Sequence, residues 1–111
     1  MIEQGDLLLI PFPFSDQSGK KVRPVVVISN NDFNNCSEDV IVLGVTSNIH
    51  KDKYSLHLSS LDLEKGSLTK PCVIKVENIL KIDKRLIIKV ISKINKTELN
   101  EIYTVLDSIL R

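Results

Sequence analysis

Cysteine is scarce in this sequence, and Cys36 and Cys72 stand far apart and in no paired motif. Their spacing argues against a disulfide framework and predicts free thiols in a reducing, cytoplasmic compartment. The chain also lacks an apolar run of roughly 18 residues, so no transmembrane helix and no membrane partner are expected. Acidic residues begin the chain and two prolines interrupt the first apolar stretch, which predicts no export signal.

A strong excess of one charge is missing as well. Fifteen Lys and Arg residues against 14 Asp and Glu leave a net charge of +1, which by itself does not indicate nucleic acid. The basic residues instead concentrate at 20–23 and at 81–85. Such runs are most often solvated surface, and the competing interpretation is contact with phosphate.

The common catalytic signatures are also absent. The sequence contains no P-loop, dinucleotide-binding fingerprint, GxSxG or HExxH motif. His50 and His57 lie seven residues apart without an acidic cluster, so we expect no metal site and no cofactor. Either histidine is a candidate acid–base group, and the simpler interpretation of both is a solvated polar residue.

Apolar runs and alternating patterns dominate the first two thirds of the chain. Its 111 residues suit a single domain, 1–111, which can bury a core without metal or disulfide. Strands are predicted at residues 7–12, 22–29, 40–46, 54–59, 72–77 and 86–94. The Asn-, Asp- and Ser-rich residues 30–39 predict a loop. Gly44 interrupts the third strand and predicts a bulge or the close approach of another backbone.

The hydrophobic period changes at the C-terminus. Asn95 followed by Glu98 predicts a capping box at the start of a helix. One face of this helix is apolar, formed by Leu99, Ile102, Tyr103, Val105, Leu106, Ile109 and Leu110. The fold class is therefore mainly β (β with α), a small and strongly curved antiparallel sheet or barrel of about six strands with a C-terminal α-helix.

Two strand ends combine apolar positions with polar chemistry. Arg23 follows a glycine-containing polar loop and precedes Pro24, and its planar guanidinium suits phosphate oxygens. A surface ion pair explains Arg23 equally well. Thr46 ends the next apolar strand and is followed by Ser47 and Asn48, which together offer several neutral donors. Taken alone this is weak evidence, because threonine is common in strands.

Taken in order, several segments resemble the MazF/PemK toxins of type II toxin–antitoxin systems. The matching segments are Gly5-Asp6, residues 22–29 with Arg23-Pro24, residues 41–47 with Thr46-Ser47, residues 66–71, residues 76–79 and residues 82–84. Matches extend from Gly5 to about Lys84, and the final strand and helix fit the family's length. Arg23 and Thr46 match the family's two catalytic positions.

The resemblance implies an SH3-like barrel of the CcdB–MazF type and a homodimer whose grooves bind RNA. The implied activity is that of a metal-independent endoribonuclease cutting single-stranded RNA, notably mRNA, into 2′,3′-cyclic phosphate and 5′-hydroxyl ends. It also implies a cognate antitoxin with an acidic tail that competes with RNA. The alternative is a non-catalytic poison or binding module on the same fold, in the manner of CcdB acting on gyrase.

Residues around the two catalytic matches are the expected RNA contacts. They are Lys20, Lys21, Ser47, Asn48, Lys51, His57 and Asn78. Asn78 takes a position where some relatives carry glutamine, and the loop before Arg23 departs from the pattern of many relatives. Phe12 and Phe14 beside that loop are either core residues or anchors for the antitoxin tail. The general base is left open.

Overall fold

A computed structural model describes residues 1–11, 22–50 and 52–111 of the chain. Within these ranges it contains seven strands, two α-helices and two short 3-10 helices. The strands are β1 (Asp6–Pro11), β2 (Val22–Val27), β3 (Asp39–Thr46), β4 (Ser55–Leu58), β5 (Leu63–Lys65), β6 (Cys72–Asp83) and β7 (Lys89–Ile94). The α-helices are α1 (Asn31–Cys36) and α2 (Lys96–Leu110), and the 3-10 helices are Ser60–Asp62 and Lys84–Leu86.

All seven strands belong to one antiparallel sheet with the order β4-β6-β3-β2-β1-β7-β5. Register shifts in the β1–β7, β3–β6 and β5–β7 pairs mark bulges, which bend strands and curl the sheet. The predicted mainly-β fold with a C-terminal helix is confirmed. Among the described residues, no helix combines the length and apolarity needed to cross a membrane.

The strand predictions differ from the structure at several places. The predicted strand at 86–94 is wrong over its first residues, because Lys84–Leu86 forms a 3-10 helix and β7 begins only at Lys89. The short strand β5 is absent from the prediction because three residues are too few to show an alternating pattern. Strand β6 runs on to Asp83, beyond the predicted end at Glu77. The exposed residues Glu77 and Asn78 interrupt the apolar alternation there, although the backbone continues as a strand.

Apolar side chains cover both faces of the central strands, because successive residues point to opposite sides. The helix-side cluster contains Leu7, Val26, Leu43, Val45, Leu58, Cys72, Ile74, Val76, Ile94, Ile102 and Leu106. The second cluster contains Leu8, Ile10, Val25, Val27, Val40, Val42 and Ile82. Burial on both faces explains why β2 reads as a continuous apolar run rather than an alternating one.

The predicted C-terminal helix is confirmed as α2. Asn95 Oδ1 accepts the backbone N–H of Glu98 at 2.8 Å, which is half of the predicted capping box. Ile102 and Leu106 are buried in the helix-side cluster. The Tyr103 hydroxyl donates to the Ile28 carbonyl at 2.5 Å and fastens the helix to the end of β2. Leu110, predicted on the apolar face, is exposed instead.

Glu98 is buried rather than reaching out to cap the helix. Only 5% of its surface is exposed, and its Oε2 has no hydrogen-bond partner among the described residues. Burial, together with the smaller effects of the Asp62 and Glu101 carboxylates, raises the pKa of Glu98 to about 7. The first turn of α2 therefore contains a buried carboxyl group whose surroundings favour the protonated, neutral form.

The predicted loop at residues 30–39 is wrong over residues 31–36, which form α1. Asn30 caps this short helix, accepting the N–H of Phe33 at 2.8 Å. Asn34 is buried, and its Nδ2 donates to the Ser29 carbonyl at 2.9 Å. Asparagine favours helix caps as well as turns, so composition alone does not separate the two.

Candidate active site

Strands β2 and β3 bring Arg23 and Thr46 together. Val25 pairs with Gly44 in this antiparallel register, and continuing the same pairing by two residues places Arg23 beside Thr46. Both side chains line one cavity of about 210 Å³ together with Lys75 and Asn78. The two residues matched to the catalytic pair therefore share one site with two further polar side chains.

The 210 Å³ cavity lies on the sheet face that carries the second cluster. Arg23 pairs with Ile10 across β1 and β2, and Ile10 belongs to that cluster. Val25 and Leu80 form apolar parts of the cavity wall, and Val25 is fully buried. The polar side chains thus stand at the end of a packed apolar surface, which holds their strands in place.

A bulge in β6 shapes the cavity. The β3–β6 register passes from Leu43 paired with Ile79 to Gly44 paired with Lys75, so residues 76–78 fall outside the ladder. A Cβ atom built on Gly44 would lie 3.3 Å from Asn78 Cγ, and closer still to its amide nitrogen. The sequence predicts a bulge or the close approach of another backbone at Gly44. The register shift confirms the bulge, and the group that lies close to Gly44 is the Asn78 side chain rather than a backbone. The missing side chain makes room for Asn78.

The Thr46 hydroxyl is oriented by the chain that follows it. Thr46 Oγ1 accepts the N–H of Asn48 at 3.1 Å, and Asn48 Oδ1 accepts the N–H of His50 at 3.2 Å. Accepting this bond uses an oxygen lone pair and leaves the hydroxyl hydrogen for donation to a ligand. Ser47 and Asn48 are exposed immediately beyond Thr46, as an RNA-contacting segment requires.

A second cavity, of about 470 Å³, opens on the helix-side cluster. Arg23, Ser47, Thr69, Lys70 and Cys72 contribute to its lining beside apolar side chains. Arg23 is half-buried and lines both cavities, so it stands at the boundary between them. Cys72 is a free thiol like Cys36, and burial raises the pKa of Cys72. This favours a packing role over a nucleophilic one.

His57 shares a sheet face with Thr46 but does not line the 210 Å³ cavity. Both residues pair with Val73, His57 from β4 and Thr46 from β3. Two strand spacings separate them, which is roughly 10 Å. Within the described ranges, no three His, Cys, Asp or Glu side chains come together as metal ligands would.

Lys75 is a further cavity residue, which no pattern in the sequence indicates. Its Nζ lies 2.5 Å from Asp52 Oδ2 and 3.9 Å from Glu77 Oε2. The hydrogen bond from Lys75 lowers the pKa of Asp52, and the same bond raises the pKa of Lys75. Lys75 is therefore a fixed positive charge at neutral pH. The alternation of Cys72, Ile74 and Val76 with Lys75 marked it as outward-facing, without indicating a site.

Three predicted RNA contacts, Lys20, Lys21 and Lys51, lie outside the described residues, as do Phe12 and Phe14. Their predicted roles therefore stay predictions. Within the described residues, the predicted site is represented by Arg23, Thr46, Ser47, Asn48, His57 and Asn78.

The second basic run, at 81–85, is engaged in local contacts. Arg85 Nη2 lies 2.8 Å from Asp83 Oδ2, and this pairing lowers the pKa of Asp83 to about 2. Lys81 Nζ lies 3.9 Å from Asp39 Oδ2, and Lys84 Nζ donates to the Asn34 carbonyl. These contacts favour the solvated-surface interpretation of this run over a phosphate site.

Comparison with known proteins places the chain in a family. The profile of the PemK-like, MazF-like toxins of type II toxin–antitoxin systems matches residues 3–110. An endoribonuclease MazF from Staphylococcus epidermidis is 34% identical over 110 residues, which cover 96% of this chain and 89% of that protein.

Solved structures agree in fold. An endoribonuclease from a mycobacterial species, in complex with its cognate antitoxin, superposes with a TM-score of 0.79 at 17% identity, covering 99% of this chain and 95% of that one. A MazE–MazF structure from Deinococcus radiodurans gives 0.76 at 20% identity, covering 98% and 95%. With the family profile matched over nearly its whole length, the chain belongs to the PemK-like, MazF-like toxins of type II toxin–antitoxin systems.

Proposed function

We propose that this toxin is a metal-independent endoribonuclease that cleaves single-stranded RNA, including mRNA, with Arg23 and Thr46 as its catalytic residues. The carrying observation is that Arg23, Thr46, Lys75 and Asn78 line one cavity. RNA cleavage is favoured over a non-catalytic, CcdB-like poison because the relative at 34% identity is an endoribonuclease.

The geometry suits a reaction in which the substrate supplies the nucleophile. A ribose 2′-hydroxyl attacks the adjacent phosphorus, the bond to the 5′-oxygen breaks, and a 2′,3′-cyclic phosphate and a 5′-hydroxyl form. The protein must align these atoms and offset charge growing on the phosphate oxygens. Arg23 can donate two hydrogen bonds to those oxygens and Thr46 a third. Arg23 is also the candidate proton donor to the leaving oxygen.

The deciding experiment is incubation of the purified protein with a long RNA in EDTA, followed by mapping of the ends. We expect cleavage with cyclic-phosphate and 5′-hydroxyl ends, and no cleavage of single-stranded DNA of the same sequence, which lacks the nucleophile. A divalent-ion requirement in the chemical step, or equal cutting of DNA, would contradict the mechanism.

The partner in this proposal is a cognate antitoxin whose acidic tail competes with RNA. The mycobacterial structure described above is a complex with its cognate antitoxin, and the Deinococcus structure contains MazE together with MazF. A surface with Arg23 and Lys75 at its rim accepts carboxylates as well as phosphates. We expect titration with the antitoxin to release labelled RNA from an Arg23→Ala variant, and added salt to weaken the complex. Unchanged RNA affinity at saturating antitoxin would separate the two sites.

We also propose that the toxin is a homodimer. Leu86, Ile88 and Val90 are about half exposed, and Val90 pairs with Leu8 of the second cluster. Apolar side chains thus extend from that cluster to the surface. Sedimentation of the wild type should show a dimer, and Ile88→Asp should weaken it. Leu61→Asp, at a more exposed apolar residue, is the matched control. A wild-type monomer at micromolar concentration would contradict this proposal.

We also propose that residues 1–111 act as one toxin domain and that the protein works in the cytoplasm. The free thiols of Cys36 and Cys72 and an mRNA substrate both fit that compartment. Cell fractionation tests the location, and limited proteolysis tests the single domain.

A further inference from the structure

The ion pair between Lys75 and Asp52 stands at the rim of the candidate active site. Lys75 lines the 210 Å³ cavity with Arg23 and Thr46, and its Nζ lies 2.5 Å from Asp52 Oδ2. About a quarter of the Lys75 side chain and 43% of the Asp52 side chain are exposed. An anion arriving from solution can therefore reach the ammonium and compete with the carboxylate.

Asp52 is held in place by its own neighbours. Its Oδ1 accepts the N–H of Tyr54 at 3.1 Å and the hydroxyl of Ser55 at 3.0 Å, which leaves Oδ2 directed to Lys75. Ser55 Oγ in turn accepts the N–H of Asp52 at 2.7 Å. Ser55 is buried and sits directly opposite Lys75 in the β4–β6 register. The carboxylate is thus held in the loop that leads into β4, the strand that pairs with β6 opposite Lys75.

Lys75 faces the cavity on its other side. Its partner in β3 is Gly44, over which the Asn78 side chain lies, and Asn78 lines the cavity together with Lys75 and Arg23. An ammonium is a point charge with rotatable donors, so it can exchange one oxygen anion for another without moving its strand. A phosphate in this cavity would meet the guanidinium of Arg23 and the ammonium of Lys75.

We propose that Asp52 is an internal competitor for phosphate, which holds Lys75 in the RNA-free toxin and is displaced when a backbone phosphate of RNA binds between Arg23 and Lys75. This inference rests on the proposed function and adds a regulator of the same site. Asp52 lowers RNA affinity in two ways, by neutralising Lys75 and by repelling the phosphate.

The variant Asp52→Asn removes the charge of Asp52 without removing the hydrogen bonds that hold its loop. Asparagine keeps an Oδ1 acceptor for Tyr54 and Ser55 but carries no charge. Partly exposed ion pairs are worth little, so we expect the KM for a long mixed-sequence RNA to fall about twofold to fivefold. The Kd for single-stranded DNA of the same sequence, which binds without being cut, should fall equally.

Lys75→Met and the double variant Asp52→Asn/Lys75→Met complete the test. Lys75→Met should weaken binding about threefold to tenfold. Removing one phosphate contact should reduce the slope of log Kd against log salt by about 0.7. In the Lys75→Met background, Asp52→Asn should give much less tightening. Asp107→Asn, which makes the same charge change in the Arg111 pair of α2, is the matched control and should leave KM unaltered.

Each outcome decides the matter. Tighter binding by Asp52→Asn that depends on Lys75 supports the competitor. Weaker binding by Asp52→Asn would make Asp52 a positioning residue and overturn the proposal, as would equal tightening in the presence and absence of Lys75. If the wild type cleaves RNA and Asp52→Asn changes neither KM nor Kd, the proposed role of Asp52 is wrong but the proposed function stands. If no variant binds or cleaves RNA, the proposed function fails with it.

Discussion

Both faces of the curled sheet are packed with apolar side chains, but one is covered by a helix and the other borders the candidate active site. On the helix-side face, α2 covers the strands and buries Ile102 and Leu106. On the opposite face, the second cluster packs Val25, Val27 and their neighbours, and no long helix among the described residues covers it. Where that second cluster stops, its strands carry Arg23, Gly44 and Thr46 and border the 210 Å³ cavity.

We therefore expect substitutions on the helix-side face to change stability, and substitutions at the end of the opposite face to change the chemistry of the site. Side chains on the helix-side face are held by a covering element, so changes there act on the free energy of unfolding. Side chains at the end of the opposite face project from strands that are already fixed, so changes there leave the core intact. A site built on rigid strands keeps its hydrogen-bond donors aligned, so no free energy is spent on reorganising them during the reaction.

The largest effect is expected from Ile102→Ala, on the helix-side face. Ile102 is fully buried, and deleting its side chain should lower the free energy of unfolding by about 2–5 kcal/mol. Urea denaturation measures this loss. Leu110→Ala, on an exposed residue of the same helix, should cost less than about 0.5 kcal/mol. Equal losses in the two variants would show that α2 does not stabilise the fold through this face.

Arg23→Ala tests the opposite face. We expect the cleavage rate to fall at least about 100-fold, equivalent to about 2.7 kcal/mol, because one preorganised donor to a developing oxyanion is worth that much. The melting temperature should change little. Arg23→Lys should not restore the rate, because an ammonium cannot replace the planar fork of two donors. Arg85→Ala, at an exposed ion pair, is the control. Near-normal rates in Arg23→Ala would remove Arg23 from the site.

Glu98→Gln sharpens the comparison through pH. Burial raises the folded-state pKa of Glu98 from its usual value near 4.5 to about 7. The stability contributed by its protonated form is present below the unfolded pKa and is lost as pH rises through about 7. Between about pH 5 and about pH 8, the wild type should lose roughly 2 kcal/mol of unfolding free energy relative to Glu98→Gln.

The matched control for this pH effect is Glu64→Gln, at an exposed position on β5. It should leave the pH dependence of unfolding as it is in the wild type. A pH-independent difference between Glu98→Gln and the wild type would show that Glu98 ionises in the folded state as it does in the unfolded chain.

The smallest effect is expected from Thr46→Ala. Removing one neutral hydroxyl donor should slow cleavage about tenfold, which is about 1.4 kcal/mol. Thr46→Ser keeps the hydroxyl and should retain most of the rate. Single-turnover kinetics on one RNA measure all three proteins. If Thr46→Ser is as slow as Thr46→Ala, the methyl group rather than the hydroxyl is what the site requires.

Much of the fold was accessible from local sequence patterns. Alternation and apolar runs located most of the sheet, and the change of period located α2. The failures have physical causes. Strand β5 is too short to show a period, and α1 is built from asparagines that also favour turns. The extension of β6 beyond Glu77 is hidden because a bulge interrupts its alternation.

The candidate site was predictable only in part. The family resemblance selected Arg23, Thr46 and Asn78, and the structure places all three around one cavity. It places His57 on the same face but two strands from Thr46. Lys75 was missed because a lone lysine in an alternating strand is the ordinary pattern of a solvent-facing position.

The sequence by itself determined the class of fold and the terminal helix, because these depend on local periodicity. Its short ordered motifs also selected Arg23 and Thr46 as the candidate catalytic pair. Only the tertiary structure decided which polar residues meet. Thr46 and Lys75 are far apart in the chain, and they line one cavity because strands β3 and β6 are neighbours. The bulge that carries Asn78 over Gly44 depends on a register between two strands, and neither strand encodes that register alone.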